Sequence, residues 1–188
     1  MQRAPSRTRR DWIDRLILVI LALSLVVGFL LRTYRMDWDR GHQYLFHPDE
    51  RALVYSAIAN ISLPFPLDVQ RLLRPDSPLN PHFFNYGNLP MYLTRAGAHI
   101  LSFFVKNAWT NEKIWMAGRG LSALFDILTI LIAYLLGRKL YGRRVGLLAA
   151  VFGSFTVLHI QLSHFLTVDT FLTTFIALGM YFAIDIVR

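Results

Sequence analysis

The chain has 188 residues, 54% hydrophobic and only 17% charged, and its apolar residues fall in long blocks rather than in the short periodic runs of a water-soluble core. A net charge of +8 does not point to nucleic acid, because Lys and Arg gather at the ends of apolar segments and form no basic stripe. Cysteine is absent, which excludes disulfides and thiolate ligands and leaves oxygen or imidazole to hold any metal.

The first element is a basic tail, residues 1–15, with Arg3, Arg7, Arg9, Arg10 and Arg15. An apolar run at 16–31 follows, and then Arg32-Thr33-Tyr34-Arg35 in place of a small-x-small cleavage site. That favours a retained transmembrane anchor over a signal peptide, with Arg15 and Arg32 snorkelling at its ends. Three more segments are apolar enough to span. The predicted spans lie near 16–32, 119–137, 145–162 and 170–187, and residues 16–188 read as one all-α, polytopic membrane domain.

Residues 89–105 are also apolar, but Arg95, His99, Ser102 and Lys106 stand at i, i+4, i+7 and i+11, a continuous polar stripe on a helix. Two cationic-capable groups in mid-span would be costly, so the pattern predicts a helix lying in the interface with its apolar side down. Positive-inside bias agrees. If 89–105 does not cross, the tail with five basic residues and the 138–144 loop with four share the cytoplasmic side, together with Arg188. The intervening loop, 33–118, then lies outside with eight Lys/Arg against seven Asp/Glu. The expected setting is an integral inner membrane with a cytoplasmic N-terminus.

That parity puts two acidic sites on one extracytoplasmic face. His47-Pro48-Asp49-Glu50 opens a predicted helix near 49–60, with Pro in the first turn and carboxylates favoured by the helix dipole. Asp169 opens the last span. Both sites read equally as caps that serve the helices alone. Asp126 lies a turn and a half inside the second span, where an ionisable group is either functional or hydrogen-bonded to a neighbouring helix. In the outer loop, Asn80-Pro81-His82-Phe83-Phe84-Asn85-Tyr86-Gly87-Asn88-Leu89-Pro90 suits an ordered turn at headgroup level or a sugar-contacting surface.

Several motifs in order carry a resemblance. They are the basic tail and span, His-Pro-Asp-Glu-Arg at 47–51, Phe-Phe-Asn-Tyr-Gly-Asn-Leu-Pro at 83–90, Gly-Arg-Gly-Leu-Ser at 118–122, the run from Leu136 to Ala150, and Val168-Asp169-Thr170-Phe171. Over roughly residues 12–188 the chain resembles the N-terminal part of glycosyltransferase family 39 and its GT-C-type relatives, which include protein O-mannosyltransferases and aminoarabinose transferases. The resemblance implies four spans, two interfacial helices in a long external loop, and inverting transfer of a sugar from a polyprenyl phosphate to an extracytoplasmic protein or lipid acceptor. Membrane lipids are implied partners and nucleic acid is not.

By that match Asp49 is the general base, Glu50 its neighbour in the motif, and Asp169 a second acid; these three would also hold a divalent metal if one is used. Arg51, Arg95 and Arg119 are candidates for the leaving phosphate. His47, Tyr86, Asn88 and His164 complete the candidate substrate contacts. Two departures stand out. Family members have more spans, so the chain reads as a fragment or truncated product, and Asn88-Leu89-Pro90 replaces the Lys-Pro pair of aminoarabinose transferases. The rival reading is a non-catalytic membrane subunit or degenerate homologue that binds lipid or a partner.

Overall fold

The computed structural model describes residues 7–42, 45–62, 68–110 and 112–187, and the side chains of 12–186 within them. The start of the basic tail and Arg188, both assigned above to the cytoplasmic side, lie outside the described residues. Among the described residues every regular element is helical.

Three helices are long and apolar enough to cross a membrane: Trp12–Thr33 within α1 (Arg7–Thr33), α5 (Ile114–Tyr141), and Val168–Ile186 within α8 (Val168–Val187). The segment predicted to span at 145–162 is two helices instead, α6 (Arg143–Phe155) and α7 (Val157–Leu162), broken where Thr156 turns extended at ψ 114°. A break at this depth leaves the last carbonyls of α6 without their helical donors. Arg32 of α1 supplies them. Its Nη1 donates to Ser154 O at 3.0 Å and its Nη2 to Gly153 O at 3.1 Å.

Arg32 therefore does not snorkel. It is fully buried and ion-paired to Asp126 of α5, whose other oxygen meets Nδ1 of His159 on α7. Of the two readings of Asp126, the structure shows the bonded one: it ties three helices together.

At the far end of the bundle, α5 turns into α6 through Gly142, held at φ +96° where L side chains are strained. The two helices then touch backbone to backbone, so a Cβ on Gly146 would sit 2.4 Å from Tyr134 O. Ile17, Leu21, Ile130, Tyr134 and Ala150 pack α1 onto this hairpin. The Asp14–Arg143 and Lys139–Asp185 ion pairs gather the start of α1, the 138–144 turn and the end of α8 at one end. The outer faces remain apolar, with Leu18, Leu30, Phe152, Ile176 and Phe182 exposed, as a bundle solvated by lipid requires.

The opposite end carries a folded cap. Pro48 sits in the first turn of α2 (Pro48–Arg51), which continues as a π-helical turn at Ala52–Ala57 and a 3₁₀ turn at Ile58–Asn60. The helix expected near 49–60 is thus present but wound in three ways. A short α3 (Val69–Leu72) and α4 (Leu89–Leu101) follow. Leu53, Val54, Ala57, Ile58, Met91 and Ala98 form one apolar core with Ile114, Leu166 and Phe171, so the cap is seated on the starts of α5 and α8. α4 covers most of the 89–105 segment predicted as a helix, but with a different face inward. Thr94 and Arg95 are buried with Met91 and Ala98, while Leu89 and Ile100 are exposed. Its polar stripe therefore turns partly into the protein rather than up to water.

Candidate functional site

Asp49 and Glu50 are consecutive on a helix, so their side chains leave it about 100° apart. The structure sends one outward and one inward. Glu50 is fully buried, and Asp49 keeps partial exposure.

The inward carboxylate meets Arg119, one turn into α5. Arg119 Nε donates to Glu50 Oε1 at 2.8 Å and Nη2 to Oε2 at 2.7 Å, a parallel two-bond fork. Nη1 and Nη2 each reach one oxygen of Asp39 at 2.7 Å, and Nη1 also reaches Met36 O at 2.6 Å. The five guanidinium N–H donors are all used, and the guanidinium lies 4.6 Å over the Trp115 ring. Glu50 Oε1 accepts a further bond from the backbone N–H of Leu166 at 3.0 Å. Burial opposes the charge on Asp39, but the hydrogen bonds and positive charge of Arg119 outweigh it and hold its pKa below the ordinary value. Asp39 carried no signal in the sequence beyond being acidic, because its partner is 80 residues away.

The outward carboxylate meets the outer loop. Tyr86 donates its hydroxyl to Asp49 Oδ1 at 3.1 Å. The hydrogen bond to Asp49 raises the phenol's pKa above its ordinary value, aided by partial burial and by the negative charges of Asp49 and Asp169. Asp169, exposed in the first turn of α8, is therefore within electrostatic reach of the same hydroxyl. Tyr86 and Asp49 thus meet directly, and Asp169 acts on Tyr86 through its charge.

An aromatic group borders this surface. The His47 ring packs 4.7 Å from Phe165, Phe165 stands edge-on to Trp38 at 6.0 Å, and Trp38 stacks on Phe46 at 5.5 Å. His47 Nδ1 is buried without a protein partner. His164 hydrogen-bonds Ile160 O at 2.7 Å and Tyr34 O at 2.9 Å, joining the exit of α1 to the end of α7. Arg51 is half-buried next to Glu50 in the chain, and Asn88 precedes α4 without capping it through its side chain. Arg95 belongs elsewhere: its Nη1 donates to Trp109 O at 2.9 Å.

For a divalent metal, Asp49 and Asp169 are the carboxylates that face outward. Glu50 is spent on Arg119 and Leu166 N–H, and among the described residues no three His, Asp or Glu side chains converge on one point. The expected set of Asp49, Glu50 and Asp169 is not assembled as ligands, so the chemistry below uses the side chains alone.

Residues 97–188 match the family model of the dolichyl-phosphate-mannose-protein mannosyltransferases, which shows over that stretch the resemblance carried by the motifs. Neither a curated protein nor a solved structure matches the chain. Asp49, Glu50 and Tyr86 precede the matched stretch, while Arg119, Leu166 and Asp169 lie within it. The Glu50–Arg119 fork and the Glu50–Leu166 bond fasten the two parts together.

Proposed function

We propose that this chain forms the catalytic front of an inverting membrane glycosyltransferase that moves a sugar from a polyprenyl phosphate to an extracytoplasmic protein or lipid hydroxyl. The observation that carries the reading is the Asp49–Tyr86 hydrogen bond with Asp169 beside it, on a surface joined by buried bonds to the family-matched stretch.

The acceptor hydroxyl must lose its proton as its oxygen attacks the anomeric carbon. Asp49 takes that proton, since Tyr86 orients one carboxylate oxygen and leaves the other for the acceptor. Asp169 steadies the positive charge that grows on the sugar ring. Of the three arginines considered for the leaving phosphate, Arg119 is committed to two carboxylates and Arg95 donates to Trp109 O. Arg51, which closes the His47–Arg51 motif two residues after Asp49, is the one we assign to it, on its place beside the base in the chain. Glu50 acts as a positioning residue that fixes the helix bearing Asp49 on α5.

The end of the bundle with Asp14, the 138–144 turn and Asp185 carries the dense basic cluster, which supports its placement in the cytoplasm and the acidic surface outside. With α6 and α7 together making the fourth crossing, the cap lies at the outer headgroup level, where a lipid-linked donor presents its phosphate.

The test is release of polyprenyl phosphate and appearance of glycosylated acceptor by the protein reconstituted in liposomes with a polyprenyl-phosphate-linked mannose. Turnover that is abolished by Asp49→Asn, with insertion intact, is the expected result. Full turnover in both Asp49→Asn and Asp169→Asn would sink the assignment.

A further inference from the structure

Three arginines are buried among the described residues, and two of them have carboxylate partners: Arg32 has Asp126, and Arg119 has Glu50 and Asp39. Arg95 is 9% exposed and has none. Its Nη1 donates to the carbonyl of Trp109 at 2.9 Å, and its Nε is buried with no partner. A guanidinium offers five donors and cannot satisfy them by losing its charge. Burial alone pushes its pKa down, and His99 beside it is pushed down by burial and by the Arg95 charge.

Arg95 lines an open pocket of about 510 Å³ together with Ala59, Asn107, Trp109, Thr110, Glu112 and Lys113. Lys113 lines it too; one N–H of its ammonium is spent on Lys106 O at 2.9 Å, which leaves donors to spare. Thr110 and Asn107 add polar atoms, Trp109 adds an aromatic wall, and Glu112 is the one acid in the lining. Such a lining suits a compact oxyanion with several acceptor oxygens. Just before it, Phe103 and Phe104 are each 84% exposed at the end of α4, as side chains that dip into a bilayer would be.

We propose that this cavity binds the phosphate of a membrane-lipid headgroup, with Arg95 as its buried donor and Lys113 beside it. Arg95 stands seven residues along α4 from Asn88, about 10 Å of helix rise. The site is therefore separate from the Asp49–Tyr86 surface and does not rest on the proposed reaction. A lipid held there would tie α4 to the residues around Trp109.

The full chain, released from micelles of phosphatidylcholine and phosphatidic acid in equal amounts, is examined by native mass spectrometry. Wild type is expected to retain phosphatidic acid preferentially. Arg95→Met should cut that retention roughly tenfold, the size of one lost charge-assisted contact, with Arg95→Lys intermediate and the exposed Arg40→Gln unchanged. Should Arg95→Met fail to fold by circular dichroism, Lys113→Gln, at a partly exposed position, decides in its place and should also weaken retention. Inorganic phosphate is added in a second arm. Displacement of the lipid means that the site reads the phosphate group itself, and retention in its presence means that the lipid ester is needed; both support the site. Equal retention of the two lipids by wild type, or an undiminished preference in the folded variants, overturns it.

Discussion

Glu50 and Arg119 face each other fully buried across 69 residues of chain, joined by two hydrogen bonds of 2.8 and 2.7 Å. The pair connects the acidic motif of the outer loop to the start of a membrane-crossing helix. Removing one partner would strand a charge in a dry interior. Arg119→Met is therefore expected to destabilise the protein by about 3–5 kcal/mol, read as a shift in unfolding in mixed micelles. Asp39 adds a pH dependence. Its folded pKa lies below the ordinary 3.8, so the stability it contributes is present above that value and is lost as pH falls through the depressed one. Stability should be flat from neutral pH down to about pH 4 with respect to this group and fall below it. Asp39→Asn should remove that acid-sensitive part.

Tyr86 gives a probe of the outward site. Tyr86→Phe removes one hydrogen bond to a carboxylate, worth about 1.5–3 kcal/mol in comparable settings. Transfer should fall roughly tenfold or more if Asp49 acts as base, while the protein still folds with a lowered unfolding midpoint. In a difference absorbance titration of wild type against Tyr86→Phe, the phenol should ionise above its ordinary 10.0. Asp49→Asn should bring it back toward that value, and no movement would mean that the two residues do not meet.

The Arg32–Asp126 pair inside the bundle predicts strong non-additivity. Asp126→Leu alone leaves Arg32 unpaired and should cost about 3–5 kcal/mol, while Arg32→Met with Asp126→Leu should recover part of the loss. Recovery will be incomplete, because Arg32 also serves the carbonyls of Gly153 and Ser154 at the helix break. A thermal-unfolding cycle of the four proteins measures the coupling.

Gly146→Ala tests the close contact of α5 with α6. The added methyl would meet Tyr134 O at 2.4 Å and Arg138 N at 2.8 Å, both backbone atoms that cannot swing aside. A loss of about 1–3 kcal/mol is expected, whereas Gly120→Ala, with open space around it, should be nearly neutral.

Topology is testable on a clean background, since the chain has no cysteine. A cysteine at position 140 should resist an impermeant maleimide applied from outside, and one at the exposed position 82 should react. Labelling at 140 would reverse the assignment of sides.

That the spans predicted near 16–32, 119–137 and 170–187 are helices long and apolar enough to cross a membrane was legible in the sequence, because hydropathy is additive along the chain and lipid selects for it locally. So was the sharing of one end by Asp49 and Asp169, since parity follows from counting spans and basic loops. The division of labour between Asp49 and Glu50 was not: adjacent acids look alike until a distant arginine claims one of them. Asp39 as a partner of Arg119, Arg32 as a partner of Asp126 and a carbonyl cap, and the break at Thr156 all depend on contacts between residues 80 or more positions apart. Neither periodicity nor composition records such distances. Local sequence determined which helices are long and apolar enough to cross a membrane. Only tertiary packing decided which charges are buried, because a buried charge persists where another helix brings its partner.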